Sequence, residues 1–422
     1  MRVEVICTGD EVLTGKIVNS NFSHISQRLE EVGIQVLWGT TVGDDREQLL
    51  EAFQRAGRRA DAVIVNGGLG PTVDDLSQEI AAKAAGVDLV LDEGWLARMT
   101  EFFERRQRAM PPSNRKQAML PRGAEVLDNP IGTACGFALD VGRSRFFFTP
   151  GVPRELRRML EEQVIPRLLA RAGAPGTIHL KRFHSFGIGE ARADTLLAGV
   201  ETIVGGGVKL GFRAHYPQLE TKLVVRGRDM EDVARKLAPI QAEVRRRLGN
   251  FVLAEDDQTL EGVVVDELAR AEASLAIVEG FTGGQLAGRV AHLPGAEKVF
   301  LRAIVGRTPE QLRSALGITE PGAVTDLSLV SVAFLAEAAR RRASATHGLA
   351  VLVEVDEGGD RIDLGGTIRI AIATGKGIAT REARILGGRD WLRLGAVEMG
   401  LDSLRRLLQK LPVDEKTDFE KR

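Results

Sequence analysis

An apolar run that stops abruptly at glycines and acids belongs at the end of a buried strand. This chain has one at Ala62-Val63-Ile64-Val65, followed by Asn66-Gly67-Gly68-Leu69-Gly70-Pro71-Thr72-Val73-Asp74-Asp75. Leu76-Ser77-Gln78-Glu79-Ile80 comes next and begins a helix. In the order strand, glycine loop, helix, glycines without Cβ let the backbone approach a ligand closely, and the free N–H groups of the helix start favour anionic oxygens. Asp74 and Asp75 stand where a bare phosphate would be repelled. A divalent cation between those carboxylates and a nucleotide or pterin phosphate resolves the conflict. A plainer reading stands beside it: Thr72 and Asp75 fit the Ser/Thr-x-x-Asp/Glu pattern that satisfies orphan donors at a helix start.

A second constellation shifts the balance. Val3-Glu4-Val5-Ile6 is followed by Thr8-Gly9-Asp10-Glu11 and Gly15. Two strand-to-loop turns carrying glycine and paired acids, in one βαβ series, are expected to meet at one edge of a parallel sheet, where such folds bind ligands.

To about residue 170, strands alternate with amphipathic helices, the pattern of a parallel sheet covered on both faces. Strand candidates are 3–7, 34–42, 61–66, 124–127, 135–140 and 145–149. Asn19 or Ser20 caps the first long helix, Phe22, Ile25, Leu29 and Val32 form its buried stripe, and Gly33 ends it. Later helices bury Leu49, Leu50 and Phe53, follow Asp75, and carry Trp95, Met99, Phe102 and Phe103. The run Ala172-Gly173-Ala174-Pro175-Gly176 reads as a linker. Beyond it come strand 177–186, helix 189–200, strands 207–213 and 220–227 and helix 230–248, a small α+β module, and then a last α/β domain. The expected division is 1–171, 176–255, 257–411 and a polar, frayed tail at 412–422.

The 422 residues carry 57 Lys and Arg against 58 Asp and Glu, so net charge argues for neither a nucleic-acid nor an anionic-membrane partner. Cys7 and Cys135 are too few for a disulfide framework, six scattered histidines argue against a zinc site, and no apolar run is long enough to span a bilayer. A soluble protein of the reducing cytoplasm is expected.

Thr8-Gly9-Asp10-Glu11, Gly15-Lys16-Ile17-Val18-Asn19-Ser20-Asn21, Val42-Gly43-Asp44-Asp45 and the Gly67–Asp75 loop together resemble the molybdopterin-binding-like domain and, more narrowly, the competence/damage-inducible protein CinA family. The resemblance runs on through Asn114-Arg115-Lys116-Gln117-Ala118, Asn129-Pro130-Ile131-Gly132-Thr133-Ala134 and Pro150-Gly151-Val152-Pro153 and covers the whole chain in order. It implies a doubly wound, mostly parallel N-terminal sheet, a KH-like α+β middle module, a C-terminal α/β domain, and a homodimer.

In that family the N-terminal domain resembles an ADP-ribose pyrophosphatase, which splits the diphosphate to AMP and ribose 5-phosphate with a divalent metal such as Mg²⁺, Mn²⁺ or Co²⁺. The residue types suit that chemistry, since carboxylate-held metal neutralises a diphosphate and activates water. Asp10, Glu11, Asp74 and Asp75 are the candidate metal ligands, and Asp75, Glu79 and Lys116 the candidate catalytic groups. Lys116 and Arg115, placed near the start of a helix, are expected to take phosphate oxygens. Ligand contacts are assigned to Thr8, Gly9, Gly67, Gly68, Gly70, Thr72, Asn114, Gly132, Thr133, Pro150 and Gly151. In the middle module, Phe186-Gly187-Ile188-Gly189-Glu190 resembles a loop that clamps nucleic-acid backbone. Glu190 has the wrong charge and no aromatic platform accompanies it, so packing or dimerisation is the expected role.

The C-terminal domain departs from its family. Relatives carry a nicotinamide mononucleotide deamidase built on Glu-Ser-Cys-Thr-Gly-Gly, with serine as nucleophile and a tyrosine and a lysine downstream. Here the positions read Glu279-Gly280-Phe281-Thr282-Gly283-Gly284, with Arg307 and Leu312 in the places of the tyrosine and lysine. The family's Thr-Gly-Ile-Ala-Gly-Pro loop is replaced by Leu352-Val353-Glu354-Val355-Asp356-Glu357. Covalent catalysis needs a nucleophile within reach of a base, and Gly280 has no hydroxyl. The expectation is a metal-dependent pyrophosphatase with a silent C-terminal domain. The rival is a non-catalytic pterin- or nucleotide-binding protein, which would bind ADP-ribose without releasing AMP.

Overall fold

The structure is a computed structural model describing residues 1–173, 177–320, 324–356 and 364–421. Linker positions 174–176, and Glu357 of the replaced loop, lie outside the described residues. The chain forms two compact units, Met1–His179 with Arg226–Val233, and Leu180–Val225 with Ala234–Arg422.

The first unit is built on a six-stranded sheet. Its strands are β1 (Val3–Thr8), β2 (Val36–Val42), β3 (Ala62–Asn66), β6 (Glu125–Leu127), β7 (Gly136–Val141) and β8 (Ser144–Thr149), while β4 (Leu89–Leu91) and β5 (Met119–Pro121) make a separate two-stranded ribbon. The order is β2-β1-β3-β8-β7-β6, with β2, β1, β3 and β8 mutually parallel and the last two antiparallel. Register then places the site. Thr8 pairs with Val42, Cys7 with Asn66 and Asn66 with Thr149, so four parallel strands end level with one another. The loops that leave them share one edge of the sheet, as α/β topology requires of a ligand site.

Helices cover both faces. Helix α2 (Ser20–Glu31) starts at Asn19, whose side chain accepts from Phe22 N, and buries Ile25 and Leu29 with the β1 residues Val3 and Val5. Helix α3 (Arg46–Arg59) is capped by Asp45 and buries Leu49 and Phe53 on the other face, where Phe53 meets Phe146 and Phe148 edge-on. The short helix α1 (Asp10–Leu13) is absent from the sequence reading, because four residues carry no periodicity.

In the second unit, β9 (Thr177–Phe186), β10 (Val208–His215), β11 (Gln218–Gly227) and β12 (Val252–Glu255) form the order β10-β11-β9-β12. A five-stranded sheet follows in the order β14-β13-β15-β16-β17, from β13 (Leu275–Glu279), β14 (Phe300–Val305), β15 (His347–Val355), β16 (Gly365–Thr374) and β17 (Gly377–Leu386). Phe186 and Leu253 of the middle module share one core with Leu260, Ile277 and Leu404, so burial does not stop at residue 255.

The terminal segment is docked rather than frayed. Arg381, 3% exposed, donates to the carbonyls of Val413 (3.1 Å) and Glu415 (2.9 Å) and to Glu420 (2.5 Å). The fully buried Arg406 pairs with Asp402 (2.7 Å) and with Glu415. Asp418 accepts from Gly189 N (2.9 Å) and Arg192 (2.6 Å), and its own N–H donates to Gly187 O (2.8 Å). Glu415, Asp418 and Glu420, polar residues that suggest fraying, are engaged by Arg406, Arg192 and Arg381, and the strap lies on the glycine loop of the middle module. Among the described residues, no helix is long and apolar enough to cross a membrane.

Candidate active site

Where β1, β2, β3 and β8 end, their loops enclose a cleft of about 550 Å³. Of the expected residues, Thr8, Gly9, Glu11, Gly67, Gly68, Gly70, Thr72, Asp74, Asp75, Thr133, Pro150 and Gly151 line it. The two acid-bearing turns therefore meet at one sheet edge. Gly67 (φ +112°) and Gly68 (φ +68°) take a left-handed backbone that suits glycine, and a Cβ at Gly67 would stand 2.6 Å from Thr8 Oγ1.

The plain capping reading of Thr72 and Asp75 is half right. Asp75 Oδ2 accepts from Thr72 N (2.8 Å) and Thr72 Oγ1 (2.6 Å), but α4 (Ser77–Ala85) begins only after Leu76 and takes no side-chain cap. The pair closes the loop and fixes the carboxylate at the cleft rather than capping the helix.

Six expected residues do not line the cleft, among them Arg115, which is exposed on the turn that carries Lys116. Asp10 is spent on a reciprocal contact in which Asp44 N donates to Asp10 Oδ1 (3.1 Å) and Asp10 N to Asp44 Oδ2 (3.2 Å). Glu79 pairs with Arg46 at 3.1 Å, joining α3 to α4. Asn114 Nδ2 donates to Gln117 Oε1 (2.8 Å), whose Nε2 donates to Leu69 O (3.1 Å). Gly132 N donates to Asn129 Oδ1 (3.1 Å). Lys116 sits toward the end of a 3₁₀ turn (Pro112–Ala118), not at a helix start, and its ammonium binds the carbonyl of Thr72.

Three polar lining residues were not singled out from the sequence: Asp44, Gln117 and Glu155. Asp44-Asp45 directly after an apolar strand repeats the signature of the other two loops and was the available signal. Burial pushes the Asp44 carboxyl up from its ordinary value; the Asp10 N–H pulls it down, and the negative charges of Asp10, Glu11 and Asp74 push it up further.

That crowding is the observation against which a metal is tested. Glu11, Asp44, Asp74 and Asp75 edge one cleft with oxygen donors only, the set that hard divalent cations prefer. The donor chemistry fits Mg²⁺, Mn²⁺ or Co²⁺. Among the described residues, however, no three His, Cys, Asp or Glu side chains converge closely enough to hold a metal ion, and Asp10 of the expected ligands is turned onto Asp44.

A second turn, in the other unit, follows β13. Glu279 is fully buried and accepts from Thr282 Oγ1 (2.5 Å), Leu286 N (3.2 Å) and Ala287 N (3.1 Å), so it caps the helix Gln285–Ala291. A Cβ at Gly280 would stand 3.0 Å from Leu352 Cδ2 and 3.2 Å from Gly306 O. Leu352 is buried in β15, which runs on as regular strand paired with β16, and Leu312 is buried as well.

Comparison with known proteins follows the same order along the chain. A probable molybdopterin binding domain matches residues 4–170, the KH domain of damage-inducible protein CinA residues 180–254, and the CinA C-terminal domain residues 257–408. A CinA-like protein of Geotalea uraniireducens (strain Rf4) is 37% identical over 99% of this chain and 100% of its own length. The chain belongs to the CinA family. Another member, the nicotinamide-nucleotide amidohydrolase PncC of Shewanella oneidensis, is 36% identical over 97% of this chain and 96% of its own. The crystal structure of a CinA protein of unknown function from Thermoplasma acidophilum is 38% identical and covers 38% of this chain and 94% of its own, with a TM-score of 0.35. As a CinA-family chain, this protein presents glycine and acid loops at its N-terminal cleft and has glycine, without a hydroxyl, at position 280.

Proposed function

We propose that the N-terminal cleft hydrolyses the diphosphate of a nucleotide such as ADP-ribose, giving AMP and ribose 5-phosphate, and that the C-terminal deamidase site is silent. The observation that carries the first half is the meeting of Glu11, Asp44, Asp74 and Asp75 with the glycine loop in one cleft. In the reaction, water adds across the P–O–P link: one phosphorus–oxygen bond breaks, one forms, and the leaving phosphate takes a proton. A bound divalent ion supplies charge neutralisation and a more acidic water. Asp75, held by Thr72, offers a carboxylate oxygen to receive the water's proton. In this reading Glu11 and Asp74 would hold that ion, drawing together from their positions on the cleft edge, and the backbone of Gly67–Gly70 and Pro150-Gly151 would take the phosphates. Glu79 and Lys116, engaged with Arg46 and Thr72, serve this reading as supports of the loop.

Supporting the second half, Gly280 offers no nucleophile, Thr282 is tied to Glu279, and Leu352 occupies the adjoining space. The test incubates full-length protein with ADP-ribose and Mg²⁺, Mn²⁺ or Co²⁺ and separates AMP, while ammonia release from nicotinamide mononucleotide is followed beside the Shewanella oneidensis PncC. AMP without ammonia is expected. Binding of ADP-ribose without AMP would leave a nucleotide-binding module and defeat the hydrolase reading.

A further inference from the structure

The acids of the cleft repel a diphosphate, so some other part of the same cleft must attract it. Three buried or half-buried side chains outside the lining show how. Asn66, 4% exposed at the end of β3, donates from Nδ2 to Pro150 O (2.7 Å) and to Thr149 Oγ1 (3.3 Å). Its Oδ1 accepts from Asn21 Nδ2 (2.9 Å), which also donates to Gly151 O (2.7 Å). Ser77, 1% exposed, donates from Oγ to Gly67 O (2.8 Å) and from its backbone N to Gly68 O (3.1 Å). Four successive-loop carbonyls, those of Gly67, Gly68, Pro150 and Gly151, are thus drawn to groups that do not line the cleft.

A trans peptide is planar, with its C=O and N–H pointing in opposite directions. Pulling those four carbonyls outward turns the N–H groups of Gly68, Leu69, Gly151 and Val152 the other way, and all four of those residues line the cleft. The hydroxyl of Thr8, a lining residue 7% exposed beside Gly67, has no hydrogen-bond partner among the described residues. A buried hydroxyl left open next to inward amides points to a ligand oxygen.

We infer that Asn21, Asn66 and Ser77 are positioning residues that aim four backbone N–H groups at a diphosphate, which Thr8 also contacts. The cleft then offers carboxylates for the cation and amides for the anion, with the one carboxylate beside the Pro150–Val152 amides, Glu155, engaged by Asn129 Nδ2 at 2.7 Å. None of the three positioning side chains touches the ligand; each acts through the peptide it holds. This inference rests on the phosphate-binding part of the proposed function and is tested apart from hydrolysis.

Full-length protein and its Asn21→Ala and Ser77→Ala variants are titrated calorimetrically with inorganic pyrophosphate in Mg²⁺. Both variants keep every acid, and Ser77→Ala keeps the backbone bond to Gly68. Each releases one loop carbonyl, Gly151 O in Asn21→Ala and Gly67 O in Ser77→Ala, and is expected to weaken pyrophosphate about fivefold, while Asn21→Ala also frees Asn66 Oδ1. For ADP-ribose, KM should rise by a similar factor while kcat and the Mg²⁺ concentration for half activity stay within twofold, a split that general damage to the fold does not produce. Pyrophosphate affinity within twofold of the parent in both variants overturns the inference, as does failure of the parent to bind pyrophosphate. Absence of AMP from the parent, with pyrophosphate binding and its loss in the variants as expected, overturns hydrolysis and leaves the amide seat standing.

Discussion

Replacing Asp75 by asparagine separates chemistry from stability. The carboxylate accepts two bonds from Thr72, to N at 2.8 Å and Oγ1 at 2.6 Å. Asparagine keeps one oxygen for the backbone N–H and loses the charge assistance, which costs about 1 kcal/mol at a half-buried position. For a unit of this size that is about 2–4 °C in Tm. The same change removes a carboxylate able to take a proton or hold a cation, worth roughly a hundred- to ten-thousand-fold in rate. That is about 3–5 kcal/mol of barrier. Asp75→Asn should therefore melt within a few degrees of the parent and release AMP from ADP-ribose at least a hundredfold more slowly in Mg²⁺, Mn²⁺ and Co²⁺ alike. Scanning calorimetry and chromatographic product assay give the two numbers. Turnover within threefold of the parent, in a variant that melts normally, would refute the assignment of this loop.

Arg381→Met strands Glu420 and two strap carbonyls, so urea unfolding should show a loss of about 3–5 kcal/mol, and a loss below about 1 kcal/mol would mean the strap is not held as described. Gly280→Ser alone should release no ammonia from nicotinamide mononucleotide, because its Cβ would crowd Leu352 and Gly306; activity matching the Shewanella oneidensis PncC would overturn the silent-site reading. Asp326 accepts from the hydroxyls of Ser331 and Ser328 and from Ser328 N, which hold its carboxyl at about 2 against an ordinary 3.8. A depressed carboxyl adds stability above its ordinary value that is lost as pH falls through the folded one. Asp326→Asn should thus flatten the decline of stability between about pH 4 and pH 2, and an unchanged acid profile would contradict this.

Periodic stripes were readable along the chain. Asn19, Ile25, Leu29 and Gly33 marked out a helix that the structure places at Ser20–Glu31, and the glycine-ended runs announced β1 and β3. Strands β4 and β5, three residues each, offer too few positions for alternation to register. At the cleft, the acids and glycines of two loops were visible as residue types in pattern. Asp44 carries the same signature after its own strand, but its place at the cleft depends on the pairing of Thr8 with Val42, a register written in neither strand alone. Lys116, Asn114 and Glu79 illustrate the converse. Their types suit phosphate, amide and acid chemistry, yet Lys116 and Glu79 are engaged by a carbonyl and a guanidinium distant in sequence, and Asn114 by Gln117 within its own turn.

The docked strap bears on how the protein is to be dissected. The matched C-terminal domain ends at residue 408, before Glu415, Asp418 and Glu420. A fragment trimmed to that boundary keeps the buried guanidinium of Arg381 while discarding the Glu420 carboxylate and the two strap carbonyls it binds. Such a piece should aggregate or breathe for reasons unrelated to catalysis. Silence in an isolated C-terminal fragment would then be a symptom of cutting, and only the intact chain offers a fair trial of whether that half of the molecule has given up its chemistry.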